Sequence, residues 1–391
     1  MRIRRCGVVW LEPREQATFD LEDLLSGGTG VTSSIQWHAH APHLDAPVAV
    51  DAQDVRLLGE LSPVDWVDVA PLRSRYGQAR IRQLLRAGLV IGRGKAWAGL
   101  RELDERFRAG HWHGLSAVAH MQSRWHGTDA VAELEEEGLD SAEGLREQMG
   151  PPPPLYTDRG DRLGEIPLAR ASSTSFDELL DRRTVCRNFD TDRELPRAQF
   201  ECVLERVFAA RARMLAVDDF EVMKRTSPSG GGLHPTEAWL LVQRVAGIAP
   251  GLYHYRPVDH ALRPIPAECQ GADLHAEACL WLAGQDYLAD AHVLVVLAPR
   301  FERTFWKYRN HSKAYRVCIL DVGHLSQTLL LSATEQGLGS FVTAAINEGD
   351  IEKSLGLTGF AESPLAVCGF GIRADKMTTF ELDPNHKVWP R

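Results

Sequence analysis

The 391-residue sequence contains no uninterrupted run of about eighteen apolar residues, so no membrane-spanning helix is expected. It lacks any Cys-x-x-Cys pair. Its seven cysteines are odd in number and scattered, which argues against zinc fingers and disulfides and predicts a reducing compartment, the cytoplasm. Walker and Rossmann glycine signatures are missing, so a bound pyridine nucleotide finds no support. Positive charge is also short: the net charge is −9, which excludes overall attraction to nucleic acid or an anionic membrane surface. The start, Met1-Arg2-Ile3-Arg4-Arg5, is basic, but Glu12, Glu15 and Asp20 precede any long apolar run, and no secretory signal is expected. His38-Ala39-His40 and His111-Trp112-His113 have no carboxylates at ligand spacing, so no metal site is expected.

What is present falls into three parts. Pro151-Pro152-Pro153-Pro154 fits neither a helix nor a central strand, and marks an extended spacer. Before it, residues 51–93 read as helix, turn, helix, turn, helix, strand. Val55, Leu57, Leu58 and Leu61 give the first helix; Trp66, Val67, Val69 and Leu72 the second, capped by Gly77. Ile81, Leu84 and Leu85 give the third, before strand-like Leu89-Val90-Ile91. This pattern suggests a winged-helix-like domain over 1–110, joined through a helical and Pro-rich connector, 111–155, to a domain over 156–391. Arg80, Arg82 and Arg86 on the third helix could contact DNA, hold a peptide against sheet edge and helix, or form a solvated face. Interleaved Asp54, Glu60, Asp65 and Asp68 weigh against DNA.

In the third part, helices are expected over 176–182, 197–216, 272–282 and 316–336, and strands over 238–242, 251–255 and 365–370. The continuous apolar run 291–297 reads as a buried central strand. Helices flanking a mixed sheet make an α+β fold. Three segments suggest chemistry. Thr226-Ser227-Pro228-Ser229-Gly230-Gly231-Gly232-Leu233-His234-Pro235 is a small-residue loop feeding a strand, where backbone N–H groups can approach a flat or anionic ligand, although such loops also serve as tight turns. Arg183 and Arg187 in Arg182-Arg183-Thr184-Val185-Cys186-Arg187-Asn188-Phe189 stand four apart, placing both on one side of a helical turn, or else simply complementing a helix end. Gly337-Leu338-Gly339 closes the long apolar helix.

Together these segments, with Gly251-Leu252-Tyr253-His254-Tyr255 and Lys307-Tyr308, resemble the FMN-dependent nitroreductase superfamily over about residues 170–372. Within it they resemble the SagB-type peptide-maturation, or azoline, dehydrogenases. The resemblance implies a nitroreductase-like fold with a dimeric core, in which two copies meet on the long helix. It implies FMN held by Arg183, Thr184 and Arg187 at phosphate and ribityl, and by Pro228, Ser229, Gly230, Gly231 and His234 along the isoalloxazine. Gly337, Gly339 and Ser340 would serve the neighbouring subunit's flavin. Where the family has Arg-x-Ser-x-Arg, this chain has Thr184 before Val185, leaving open which residue replaces the serine. Asp321, His324 and Gln327 are polar on the apolar helix and require partners. Tyr308 would be the catalytic base, acidified from its ordinary ~10 by Lys307. Adjacent residues converge only on a turn or helix end. Dioxygen is the terminal acceptor that the resemblance implies.

The resulting expectation is two-electron oxidation of a residue or azoline ring in a ribosomally made precursor peptide, with a cyclodehydratase or other maturation enzyme as a possible partner. Two other readings stand beside it: a small-molecule NAD(P)H-dependent nitro or enone reductase, and a non-catalytic peptide-binding scaffold.

Overall fold

A computed structural model describes residues 1–157, 164–266 and 273–390. The chain forms two compact units. The first comprises Met1–Arg124 together with Phe301–Arg316 and Gly359–Ala361. It therefore extends past the 1–110 module read from the sequence and recruits chain from far downstream.

Helices Ala52–Glu60, Val69–Tyr76 and Gln78–Arg86 of this unit pack Leu57, Leu58, Ile81, Leu84 and Leu85 against Ile3 and Ile91. Asp51 starts the first helix through a reciprocal capping box with Asp54, satisfying donors that the first turn leaves orphaned. The second helix begins at Val69, not at Trp66 where it was expected. Val67 and Asp68 instead pair as a strand with Ile3 and Arg2, and the Asp68 carboxylate caps Ala70 N–H. Val90–Gly92 pairs on the other edge of Arg2–Arg5. The sequence reading missed a long hairpin, Trp10–Phe19 with Val31–His40, extended by Val48–Val50.

The second unit holds a six-stranded sheet in the order Ala261–Pro264, Gly251–Arg256, Thr236–Val242, Val293–Pro299, Ala366–Gly371, Gly339–Thr343. Its ladders are antiparallel; parallel pairing enters through the bridges Val185–Ser340 and Leu195–Val245. On one face, Phe200, Val203, Val207, Leu325 and Leu329 of two helices cover Leu240, Val293, Val295 and Leu297. On the other, Trp281, Leu288, Ile351 and Leu355 cover Leu241, Leu294 and Val296. Burial on both sides explains why the central strand is continuously apolar rather than alternating.

The helix expected over 197–216 stops at Phe208. Ala209 turns extended (ψ 144°), and Ala212–Val217 runs out in a hairpin with Phe220–Lys224. Asp219 supplies the left-handed turn residue (φ 62°). Strand Gly339–Thr343 and helix Glu348–Leu355 were not foreseen. The long helix spans Ala314–Glu335, 22 residues; an 18-residue window of it has mean hydropathy 1.3, so by length and composition it could cross a membrane, and 56% of that window is buried.

Leu240 is fully buried and Leu215 on the hairpin is 62% exposed. Leu240→Ala should cost about 2–5 kcal/mol in denaturant unfolding, and Leu215→Ala within about 0.5 kcal/mol of zero. Equal effects would contradict this division of the core.

Candidate functional site

The Arg-rich segment lies beyond the end of helix Ser175–Arg182, not on a helical turn. Arg183 leaves the helix with ψ 104°, and Val185 then bridges Ser340 while Cys186 N–H donates to Ser340 O at 2.9 Å. Burial now alternates with period two: Thr184, Cys186 and Asn188 are buried, while Val185 and Arg187 are exposed and Arg183 is half-exposed. Arg183 and Arg187 thus share a face for a reason other than the one expected. Val185 stands between them on the same face, whereas Thr184 is 7% exposed on the opposite face and donates to Val185 O at 3.3 Å. Among the described residues neither arginine has a carboxylate partner. Arg187 Nη1 donates to Phe380 O at 3.4 Å, and the guanidinium lies 5.4 Å from the Tyr287 ring centre.

A buried glutamate that the sequence reading missed holds this segment. Glu381 accepts from Arg187 N–H (2.6 Å), Asn188 N–H (3.1 Å), Asn188 Nδ2 (2.8 Å) and Trp389 Nε1 (2.8 Å), and pairs with Arg373. Burial resists its ionisation, but these donors outweigh that cost and its pKa lies below the usual glutamate value. No spacing in the sequence links residue 381 to 187, so nothing there could have signalled it.

The loop 227–234 is strapped along the long helix. Ser229 Oγ donates to Asp321 Oδ2 (2.5 Å), Gly230 N–H donates to Asp321 Oδ1 (3.0 Å), and His234 N–H donates to Ser229 Oγ (2.9 Å). Farther along, the Ser227 and Thr328 hydroxyls meet at 2.7 Å. The partner that Asp321 needed is therefore this loop. Burial raises the Asp321 pKa against the opposing pull of Ser229 and Gly230. Two expectations change. The Ser229 hydroxyl, read as a flavin ligand, is consumed by Asp321 and His234. Gly230 is required for packing, because a Cβ there would come within 2.0 Å of Val317 Cγ1. Gly231 and Gly232 are exposed and left-handed (φ 67° and 69°), and no atom would meet a Cβ at Gly232 within 4 Å, so this backbone is open. Pro228 is exposed beside it, and His234 is 9% exposed with φ 46°.

At the other end of the helix Gly337 (φ 74°) terminates the last turn, its N–H donating to Thr334 O. A Cβ on Gly339 would fall 2.4 Å from Cys186 Sγ, so only glycine lets the two segments touch. Ser340 is 1% exposed and its Oγ is a buried hydroxyl without a hydrogen-bond partner. The structure thus gathers Arg183, Arg187, Gly339 and Ser340 at one end of the helix, and Ser229 to His234 beside Asp321 at the other. Along the axis Asp321 and Glu335 are about 20 Å apart, so one chain does not bring the two groups together. The helix's outward stripe, with Ile319 48% and Leu320 55% exposed and Gly323, His324 and Gln327 beside them, is apolar in part.

Lys307 and Tyr308 lie in the first unit. Lys307 ends helix Phe301–Lys307, Tyr308 N–H still donates to Thr304 O, and Lys307 Nζ stands 5.4 Å from the Tyr308 ring centre. The same unit carries a groove of about 790 Å³ beside strand Val31–His40. That strand is paired along its full length by Trp10–Phe19, but on its other side, among the described residues, only at Trp37–Ala39. Residues 33–36 therefore offer a free edge toward Tyr76, Arg80 and Gln83. Arg80 is held by Asp51 (2.6 Å) and Asp54 (2.5 Å), which removes one of the third helix's free cations.

The sequence profile of the nitroreductase family matches residues 179–372. A nitroreductase-family protein of Methanocaldococcus jannaschii is 31% identical over 151 residues, 39% of this chain and 72% of that protein. The chain belongs to the nitroreductase family of oxidoreductases. The microcin B17-processing protein McbC of Escherichia coli is 32% identical over 161 residues, 39% of this chain and 57% of McbC. The trifolitoxin-processing protein TfxB of Rhizobium leguminosarum bv. trifolii is 31% identical over 148 residues, 38% of this chain and 39% of TfxB. In the E. coli microcin synthetase McbBCD complex with truncated pro-MccB17, one chain superposes with a TM-score of 0.50 at 23% identity. That match covers 69% of this chain and 94% of the other, and shows the shared fold. Nitroreductase-family proteins bind flavin, and the residues here fit one: a cationic face with no carboxylate partner and a buried Ser340 hydroxyl with no hydrogen-bond partner, both among the described residues, and an open glycine backbone.

The depressed pKa of Glu381 makes a pH test of the clamp. Its stabilisation is complete above the ordinary glutamate value of 4.5 and is lost as pH falls through the lower folded value. The Tm gap between wild type and Glu381→Gln should be widest near pH 7 and narrow below about pH 4.5. A gap that stays constant in melts from pH 7 to pH 3.5 would show that the charge contributes nothing.

Proposed function

We propose that this chain is an FMN-dependent dehydrogenase of peptide maturation, oxidising an azoline ring or a residue of a ribosomally made precursor. The observation that carries the reading is the similarity to two peptide-processing proteins, McbC over 161 residues and TfxB over 148. Arg183 and Arg187 would pair with the cofactor's phosphate, since a guanidinium fork matches its oxygens. The backbone N–H of Gly231, with Ser340 Oγ, would receive its ring and ribityl oxygens; the Gly232 N–H is spent on Ser229 O (3.0 Å). The bound flavin supplies a two-electron acceptor for the hydride. A Tyr308 phenolate, favoured by the Lys307 ammonium near its ring, would take the proton lost with that hydride and become the neutral phenol.

Because the two residue groups stand at opposite ends of one helix, we read the working form as a homodimer. Each site would take the Arg-rich strand from one copy and the glycine loop from the other, across the Ile319 and Leu320 stripe. The first unit would be winged-helix-like in role, holding an extended precursor segment added to the open edge at 33–36. A cyclodehydratase is the natural supplier of an azoline substrate. The cytoplasm is the compartment this chemistry suits.

An absorption spectrum from 300 to 550 nm tests the cofactor first: flavin bands, with FMN released on denaturation, are expected. A colourless protein that takes up no FMN would leave the peptide-binding scaffold as the better account. Rapid flavin reduction by NAD(P)H without peptide would favour the small-molecule reductase. Arg187→Ala should lose FMN by at least about tenfold in Kd. Tyr308→Phe should keep FMN and lose about 100-fold or more in peptide turnover. Leu320→Lys should shift the protein to a monomer in sedimentation and strip its flavin; a flavin-loaded monomer would refute the shared site.

A further inference from the structure

The turn bearing Lys307 and Tyr308 is built into the N-terminal unit by one aromatic pair. Trp112, 4% exposed, has ring centres of Phe301, Phe305 and Tyr315 within 4.6, 4.7 and 5.6 Å, and its Nε1–H donates to Phe360 O at 3.0 Å. His120, 2% exposed, stacks on Trp112 at 5.2 Å. Its ring spans two segments: Nε2 reaches Gly359 O at 2.9 Å and Nδ1 reaches the Tyr315 hydroxyl at 3.0 Å. Asn310 N–H, in the turn itself, donates to His111 O at 2.9 Å. The helix before Tyr308 and the residue that starts the chain onward after it are thus both fastened to residues 111–120.

The tautomer follows from the partners. Burial pushes the His120 pKa down to about 3, so the imidazole is neutral near pH 7. A carbonyl can only accept, so Nε2 carries the hydrogen toward Gly359 and Nδ1 accepts from the Tyr315 hydroxyl. Both bonds are then used in one orientation, and the ring cannot flip without breaking both.

We propose that His120 and Trp112 are positioning residues for the Lys307–Tyr308 pair, so that the peptide-holding unit also sets the geometry of the proton acceptor. This rests on the reading of Tyr308 as the base. A peptide held by that unit would then meet a base belonging to the same body, and misplacing that base by about 1 Å would cost turnover rather than affinity.

The test uses the full-length flavin-loaded protein, a synthetic thiazoline-containing peptide and air. His120→Phe keeps a ring in the cluster and removes both hydrogen bonds. Trp112→Phe removes the donor to Phe360 and part of the buried ring, and leaves both His120 hydrogen bonds in place. The expected result is unchanged flavin per chain, KM within about twofold, and kcat lower by about 10- to 100-fold in His120→Phe, with a smaller loss in Trp112→Phe. Amide hydrogen exchange should accelerate in peptides covering 301–316 and stay unchanged in those covering 225–234. Wild-type kcat in both variants overturns the proposal, as does a loss confined to KM or accompanied by loss of flavin. Tyr308→Phe is run beside them: if it turns over like wild type, the base assignment itself falls, and the proposal with it.

Discussion

Everything in the sheet unit hangs on a strand that cannot see water. Val293 to Pro299 is covered on one face by the helices Arg197–Phe208 and Ala314–Glu335 and on the other by Trp281, Leu288 and Ile351. Each strand residue must then be apolar, and each neighbouring strand must keep its register, or buried amides go unpaired. Once this layer is set, the long helix has one permitted depth and rotation. Its inward residues, Val322, Leu325 and Leu329, are core, and what remains at its sides is given to the loops.

Two carboxylates convert that scaffold into site geometry. Asp321 ties down the glycine loop and Glu381 ties down the Arg-rich strand. Each is nearly fully buried, and each is satisfied by backbone N–H groups from the segment it orders. A buried carboxylate with several donors is costly to displace, so the segments it holds are fixed before any ligand arrives. The groups left over, two guanidinium groups, two left-handed glycines and the Ser340 hydroxyl, are the ones able to act on something else.

Much of this was legible. Val293 to Pro299 announced itself by its unbroken apolar run, and the third N-terminal helix by Ile81, Leu84 and Leu85. The Arg-rich, glycine-loop and Gly-Leu-Gly segments were recognisable as motifs, and the family that they resembled is the one the chain belongs to. The failures have physical causes. The stretch 212–217 has a composition compatible with a helix, and only the extended exit at Ala209 sends it into a hairpin. Arg183 and Arg187 at a spacing of four fit a helix or an extended strand equally. The alternating Thr184, Cys186 and Asn188 held the answer, and the strand was chosen by Ser340, 155 residues beyond Val185. Glu381 and Asp321 act through partners that no local pattern names.

The division into units has a consequence for how such a chain can be cut or inherited. The backbone passes from one unit to the other after residues 124, 300, 316, 358 and 361. A recognition module appended at a terminus can be exchanged by a single recombination event, because one linker holds it. Here no single break detaches the first unit. Removing residues 1–124 would strip Phe301, Phe305 and Phe360 of Trp112 and Phe107, uncovering aromatic surface in a chain still forced to make those crossings. The two units are obliged to be synthesised, to fold and to diverge together.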